Sequence, residues 1–211
     1  MKNYVTFSLM AIALILIIFI TQAGSLLQDE KITSFNASLV YEGKGEYKLA
    51  IDELNKIYDK YKNNYLFNVR LGWLYYNVKD YKKSKEYYKE AIKINPQSIE
   101  AMTGFTMPLS ALGDWNEVQA TYENILKIDQ NNYTANLRLG QIYLANGSYA
   151  NAKKYLETAN RLFPAEYEPN LSLGWTYYYL GNTASAKELL TNALMLSPND
   201  SLALQGLKLV K

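Results

Sequence analysis

The sequence predicts an all-α chain in which helix–turn–helix pairs stack into a solenoid. Residue types recur at a step of 34 in five independent columns, more than coincidence allows. Leu71-Gly72, Phe105-Thr106, Leu139-Gly140 and Leu173-Gly174 form one column, and Tyr75, Leu109, Tyr143 and Tyr177 a second. Ala50, Ser84, Val118, Ala152 and Ala186 form a third, and Ala91, Ile125, Ala159 and Ala193 a fourth. Pro96, Gln130, Pro164 and Pro198 make the fifth. Inside each step apolar residues fall three and four apart, as on the buried face of a helix. Glycine and proline then mark where each helix stops.

The 211 residues begin with a segment unlike the rest. Lys2 precedes an apolar run from Val5 to Ile20, and Thr21 and Ala23 are small residues where a signal peptidase requires them. Residues 1–23 therefore read either as an export signal cut after Ala23 or as an uncleaved membrane anchor. Sixteen apolar residues rising ~1.5 Å each span ~24 Å of a ~30 Å hydrocarbon core, and counting from Tyr4 to Ala23 closes the gap. In both readings the positive charge precedes the run while Asp29 and Glu30 follow it. The remaining chain is thus expected on the outer side of the cytoplasmic membrane, soluble or anchored.

Residues 24–30 make a short linker. Five tandem units follow over 31–200, as 31–64, 65–98, 99–132, 133–166 and 167–200. Residues 201–211 supply a short capping helix through Leu202, Leu204, Leu207 and Leu209. In the second unit Tyr65 to Asn77 predicts one helix, with Leu71, Leu74, Tyr75 and Val78 along one face. Asp80 suits the cap of the next helix, Lys82 to Asn95, and Pro96 closes the unit. Gly45, Gly113, Gly147 and Gly181 mark the inner turns of the other units. Gly72, Gly140 and Gly174 let a neighbouring helix approach where a side chain would hold it off. The first unit is weak, with Ala37-Ser38 for Leu-Gly. The third departs most, with Thr106 for glycine, Gln130 for proline, and Pro108 inside its first helix, where a kink or shortening is expected.

This pattern, best kept in Leu139, Gly140, Tyr143, Ala152, Ala159 and Pro164, resembles the tetratricopeptide repeat over roughly 31–200. The resemblance implies a right-handed superhelical solenoid whose first helices line a concave groove for peptides or helices of partner proteins. The family's usual tryptophan is absent, with Ser34, Asn68, Met102, Asn136 and Asn170 in its column. The groove columns hold Leu39, Trp73, Met107, Gln141 and Trp175, then Glu42, Tyr76, Ser110, Leu144 and Tyr178, then Gly43, Asn77, Ala111, Ala145 and Tyr179. The family's clamp for a C-terminal carboxylate needs Lys, Arg and Asn there, and Asn77 alone qualifies. Arg70 and Arg138 are the nearby cations. The candidate partner-binding set is Arg70, Trp73, Tyr76, Asn77, Met107, Arg138, Gln141, Trp175, Tyr178 and Tyr179. Simple packing of Trp73 and Trp175 against adjacent helices competes with that reading.

Composition narrows the chemistry. The chain has no cysteine and no histidine, which removes disulfides, thiolate nucleophiles, Cys/His zinc sites and imidazole catalysis. No phosphate loop, carboxylate pair or metal cluster is legible, so no enzyme, cofactor or metal is expected. A net charge of +2 gives no electrostatic footprint for nucleic acid. Twenty tyrosines reflect either AT-rich codon usage or a role for the group. The preferred reading is a non-catalytic scaffold or assembly factor of the cell envelope, holding a peptide, a helix or an identical subunit in an aromatic groove. Its membrane contact, if the leader is uncleaved, runs through the N-terminal segment. The alternative is a carbohydrate-binding accessory of polysaccharide synthesis or export, since exposed rings stack on sugars.

Overall fold

The computed structural model describes residues 29–210, and the leader and its cleavage point lie outside them. Regular structure among these residues is helical throughout. The first repeat comprises α1 (Glu30–Gly43), α2 (Tyr47–Asn55) and a single turn, α3 (Tyr58–Tyr61). The second is α4 (Tyr65–Asn77) and α5 (Tyr81–Ile94), the third α6 (Ile99–Leu112) and α7 (Trp115–Ile128). The fourth is α8 (Tyr133–Ala145) and α9 (Tyr149–Leu162), and the fifth α10 (Tyr167–Tyr179) and α11 (Thr183–Leu196), followed by α12 (Ser201–Leu209). The chain divides into two compact units that part between Pro96 and Gln97, so repeats one and two form one unit and the rest the other.

The inner turns follow from backbone stereochemistry. Gly45, Gly113, Gly147 and Gly181 all adopt φ between 73° and 78°, a region glycine enters freely. Lys79 holds the same column in the second repeat and is forced to φ 63°. Asp80 then caps α5 by accepting from the Lys83 amide, as expected.

The glycine column works as the sequence implies. A Cβ on Gly140 would lie 2.4 Å from Leu156 Cγ, and one on Gly72 or Gly174 would meet Tyr88 or Leu190 under 3 Å. The second helix of each pair thus drops a large side chain onto bare backbone. The third repeat solves the same contact with polar chemistry, since Thr106 Oγ1 lies 3.1 Å from the Tyr122 hydroxyl. Helix α6 runs unbroken through Pro108 to Leu112, so the expected shortening does not occur. Proline deletes one backbone donor, and the Thr106 and Ser110 hydroxyls bond the carbonyls of Thr103 and Thr106 around it.

Two sets of ties join successive repeats within each unit. Asn68, Asn136 and Asn170, read from the sequence only as missing tryptophans, are fully buried. Asn68 Nδ2 donates to the carbonyls of Lys62 (2.7 Å) and Asn64 (2.8 Å). Asn136 does so to Gln130 and Asn132, and Asn170 to Pro164 and Glu166. Each amide therefore bonds two carbonyls of the turn before its helix, and two of these, on Asn64 and Asn132, also accept from the backbone N–H of Asn68 and Asn136. The tyrosine column supplies the second set. Tyr75 accepts from Asn55 (3.2 Å), while Tyr143 and Tyr177 donate to Glu123 (3.1 Å) and Glu157 (2.5 Å). Burial, reinforced by the Glu157 carboxylate, pushes the Tyr177 phenol up to about 12.

Candidate functional site

In the first unit the candidate residues sit on α4. Arg70 is 9 % exposed and reaches back to α1, where Nη1 pairs with Glu42 at 2.8 Å, Nε donates to Ser38 and the guanidinium covers Phe35. Trp73 Nε1 donates to the other Glu42 oxygen at 2.6 Å. Ser38, where the second, fourth and fifth repeats have glycine, is thus the acceptor that a buried arginine needs. Arg70 serves an internal α1–α4 tie and leaves its Nη2 buried without a partner. Trp73 remains 37 % exposed, with its ring 6.3 Å from that of Tyr76 at 23°. Tyr76 leans on Tyr81, and the Asn77 amide donates back to the Trp73 carbonyl.

In the second unit Met107 is half-buried on α6, and the others lie on α8 and α10. Arg138 Nη1 donates to Gln141 (2.8 Å) and Glu168 (2.9 Å), and Gln141 donates to Ser172 (3.3 Å). Trp175 and Tyr178 pack against the core of Ala186, Leu190 and Val210. The Trp175 ring meets Tyr178 edge-on at 88°, and Tyr179 is stacked by Tyr149 at 4.6 Å and 8°. Trp175 is therefore partly a packing residue, whereas Tyr179 stays half exposed.

Sequence reasoning missed Trp115. It opens α7, is 57 % exposed, and walls a cavity of about 540 Å³ with Ser110, Ile142 and Ala145. The signal was present: Tyr47, Tyr81, Trp115 and Tyr149 form an aromatic column of their own at the same step of 34. At the cavity α6 and α8 barely meet, whereas one repeat later α8 and α10 come together. Among the described residues no group of carboxylates could hold a metal ion.

Two models of the tetratricopeptide repeat match the chain, one over residues 69–98 and the other over 109–166 and 143–209. This chain is a tetratricopeptide repeat protein. Among curated relatives, the repeat protein is 29 % identical over 73 residues to the uncharacterised protein ycf37 of Pyropia yezoensis, covering 35 % of this chain and 40 % of that one. It is 35 % identical over 77 residues to Superkiller protein 3 of Schizosaccharomyces pombe, covering 36 % of this chain and 5 % of that one. The repeat protein thus matches less than half the length of either. Its fold is similar to that of YrrB, a tetratricopeptide repeat protein with an unusual peptide-binding site, at TM-score 0.73 and 19 % identity over 89 % of this chain and 97 % of YrrB. MamA from Desulfovibrio magneticus RS-1 superposes at TM-score 0.71 with 18 % identity, covering 82 % and 98 %. A tetratricopeptide repeat protein of Parabacteroides merdae gives TM-score 0.75 with 15 % identity, covering 86 % and 72 %.

Proposed function

We propose that this tetratricopeptide repeat protein is a non-catalytic scaffold or assembly factor of the cell envelope, holding a partner protein on the first-helix faces of its repeats. The observation that carries the reading is the set of aromatic, amide and guanidinium side chains left open there, Trp73 and Tyr76 on α4 and Arg138, Gln141 and Tyr179 on α8 and α10. Exposed rings beside an arginine and hydrogen-bonding groups are the usual anchors of protein interfaces. The peptide-binding site of YrrB, alike in fold, lends support by analogy. Ring geometry favours protein over glycan: Trp175, Tyr178 and Tyr179 meet edge-on or tilted, and Tyr149 already covers one face of Tyr179, so these rings offer no flat row for a sugar chain.

The envelope assignment rests on the charge and apolar pattern of residues 1–23. No helix among the described residues is long and apolar enough to cross a membrane. In-cell crosslinking and pull-down of wild type against Trp73→Ala and Arg138→Glu tests binding. Loss of a captured protein in either variant, with melting temperature retained, supports the groove. Unchanged capture moves the site elsewhere, and no capture by wild type removes the scaffold reading. Mass spectrometry of the mature N-terminus and cell fractionation test the location, which fails if the chain keeps Met1 and stays in the cytosol.

A further inference from the structure

The fourth and fifth repeats fill with their own side chain a place that the third and fourth leave empty. Tyr149 opens α9, and the face of its ring is covered by Tyr179 at the end of α10, 4.6 Å away and 8° from parallel. One period earlier Trp115 opens α7, but the column of Tyr179 holds Ala145. The missing ring leaves Trp115 57 % exposed over a cavity of about 540 Å³. That volume lies within the ~300–1,000 Å³ of sites that hold small organic groups. Its floor is apolar, made by Val118, Tyr122 and Ile142. Among the residues lining it Arg138 alone is charged, and the Gln141 and Asn146 amides stand at its edge.

We propose that this cavity seats an aromatic side chain of a partner protein, from a segment with acidic residues beside the aromatic one. The inference deepens the scaffold reading and rests on it. The incoming ring takes the position on Trp115 that Tyr179 takes on Tyr149, in the offset-stacked or edge-on arrangement such pairs prefer. Charge complementarity selects the flanks. Arg138 spends Nη1 on Gln141 in a part-buried contact and on Glu168 in an exposed one, where an ion pair contributes little and exchanges readily. A carboxylate of the partner replaces Glu168 and engages the guanidinium two-pronged.

The test follows the indole N–H signals of the 15N-labelled chain, whose three tryptophans give three cross-peaks. The Trp115 signal is assigned by its loss in Trp115→Phe. The probe is an end-capped heptapeptide with central Phe flanked by Asp, compared with the same peptide carrying central Leu or Lys flanks. The expected result is a shift of the Trp115 signal by the Phe/Asp peptide, with affinity at least ~5-fold weaker for each comparison peptide. Ala145→Tyr, which installs the ring that Tyr179 provides one repeat later, should abolish the shift while helicity is kept. The proposal is overturned if ~5 mM peptide leaves Trp115 unmoved, where a millimolar Kd would register. It is equally overturned if Leu binds as well as Phe, if Ala145→Tyr still binds, or if maltohexaose moves the signal in place of the peptide. Pull-down separates the two readings. A partner captured equally by wild type and Ala145→Tyr removes this pocket and leaves the scaffold, whereas no captured partner removes the scaffold.

Discussion

Replacing Gly140 by alanine sets two effects of opposite sign against each other, and the geometry decides between them. Alanine is the better helix former, by about 1 kcal/mol in a helix interior. Its Cβ, however, would lie 2.4 Å from Leu156 Cγ, 2.7 Å from Cδ2 and 3.2 Å from the Leu156 backbone nitrogen. Cγ is the branch point of a side chain with no exposed surface, so it cannot swing clear. Helices α8 and α9 must separate or Leu156 must leave its rotamer, which costs about 1–3 kcal/mol in a packed core and here stands at the upper end. The net expectation for Gly140→Ala is a loss of about 1–2 kcal/mol, a fall of roughly 2–8 °C in melting temperature. Urea unfolding at constant m-value measures it. Gly43→Ala is the control, since nothing lies within 4 Å of its added Cβ, and it should leave stability unchanged or raise it by some tenths of a kcal/mol. Leu156→Ala alone costs about 2–5 kcal/mol, and adding Gly140→Ala to it should cost little further, because the colliding branch is gone and only the 3.2 Å approach to the backbone nitrogen remains. A Gly140→Ala midpoint at or above wild type would refute the reasoning.

Other outcomes follow from the same structure. Lys79→Gly relieves a left-handed residue in a column otherwise filled by glycine, and should raise the unfolding free energy measured in urea by up to about 1 kcal/mol. Asn136→Ala removes the side-chain donor to the Gln130 carbonyl, while the Asn132 carbonyl keeps its backbone bond, and should cost about 1 kcal/mol, seen as faster amide exchange at the start of α8. Glu42→Ala leaves the buried Arg70 charge unpaired and should lower the melting temperature more than Glu157→Ala, whose carboxylate is exposed. Burial, aided by Glu157 and Asp200, pushes Tyr177 and Tyr167 up to about 12, against ~10 in the unfolded chain. Between these values the folded state keeps protons that the unfolded state has lost. The stabilisation is therefore complete below pH ~10 and disappears as pH rises towards ~12. Phenolate absorbance in wild type and Tyr177→Phe checks this, and ionisation of Tyr177 near its ordinary value would contradict it.

The fold was legible because periodicity reports what each helix buries. Helix α4 spans Tyr65–Asn77 as the apolar spacing predicts, and the glycine column meets the large residues of the second helices. Polar partners were not legible, because they lie at separations that no helical period marks. Asn136 read as a lost tryptophan, although its function is to hold the turn behind it. Arg70 read as a groove cation, yet Glu42 and Ser38, 28 and 32 positions away, absorb much of it. Trp175 could not be told from a free anchor until α11 and α12 were seen against it. Trp115 escaped notice because its column begins the second helix, outside the groove register. Several of the twenty tyrosines now have structural tasks, in the repeat ties and in stacks such as Tyr75 on Tyr87.

The ties between repeats also constrain how such a chain can grow or shrink. Each tyrosine tie spans twenty positions and each asparagine reaches back four and six, always within one period of 34. Excising residues 133–166 would place Tyr177 twenty positions after Glu123 and Asn170 six positions after Gln130, re-forming both ties with new partners. Removing a length that is not a multiple of 34 would strand them. The gene behind this protein can therefore be lengthened or shortened only in whole modules, and a library of duplicated or deleted periods should divide sharply into soluble and insoluble products.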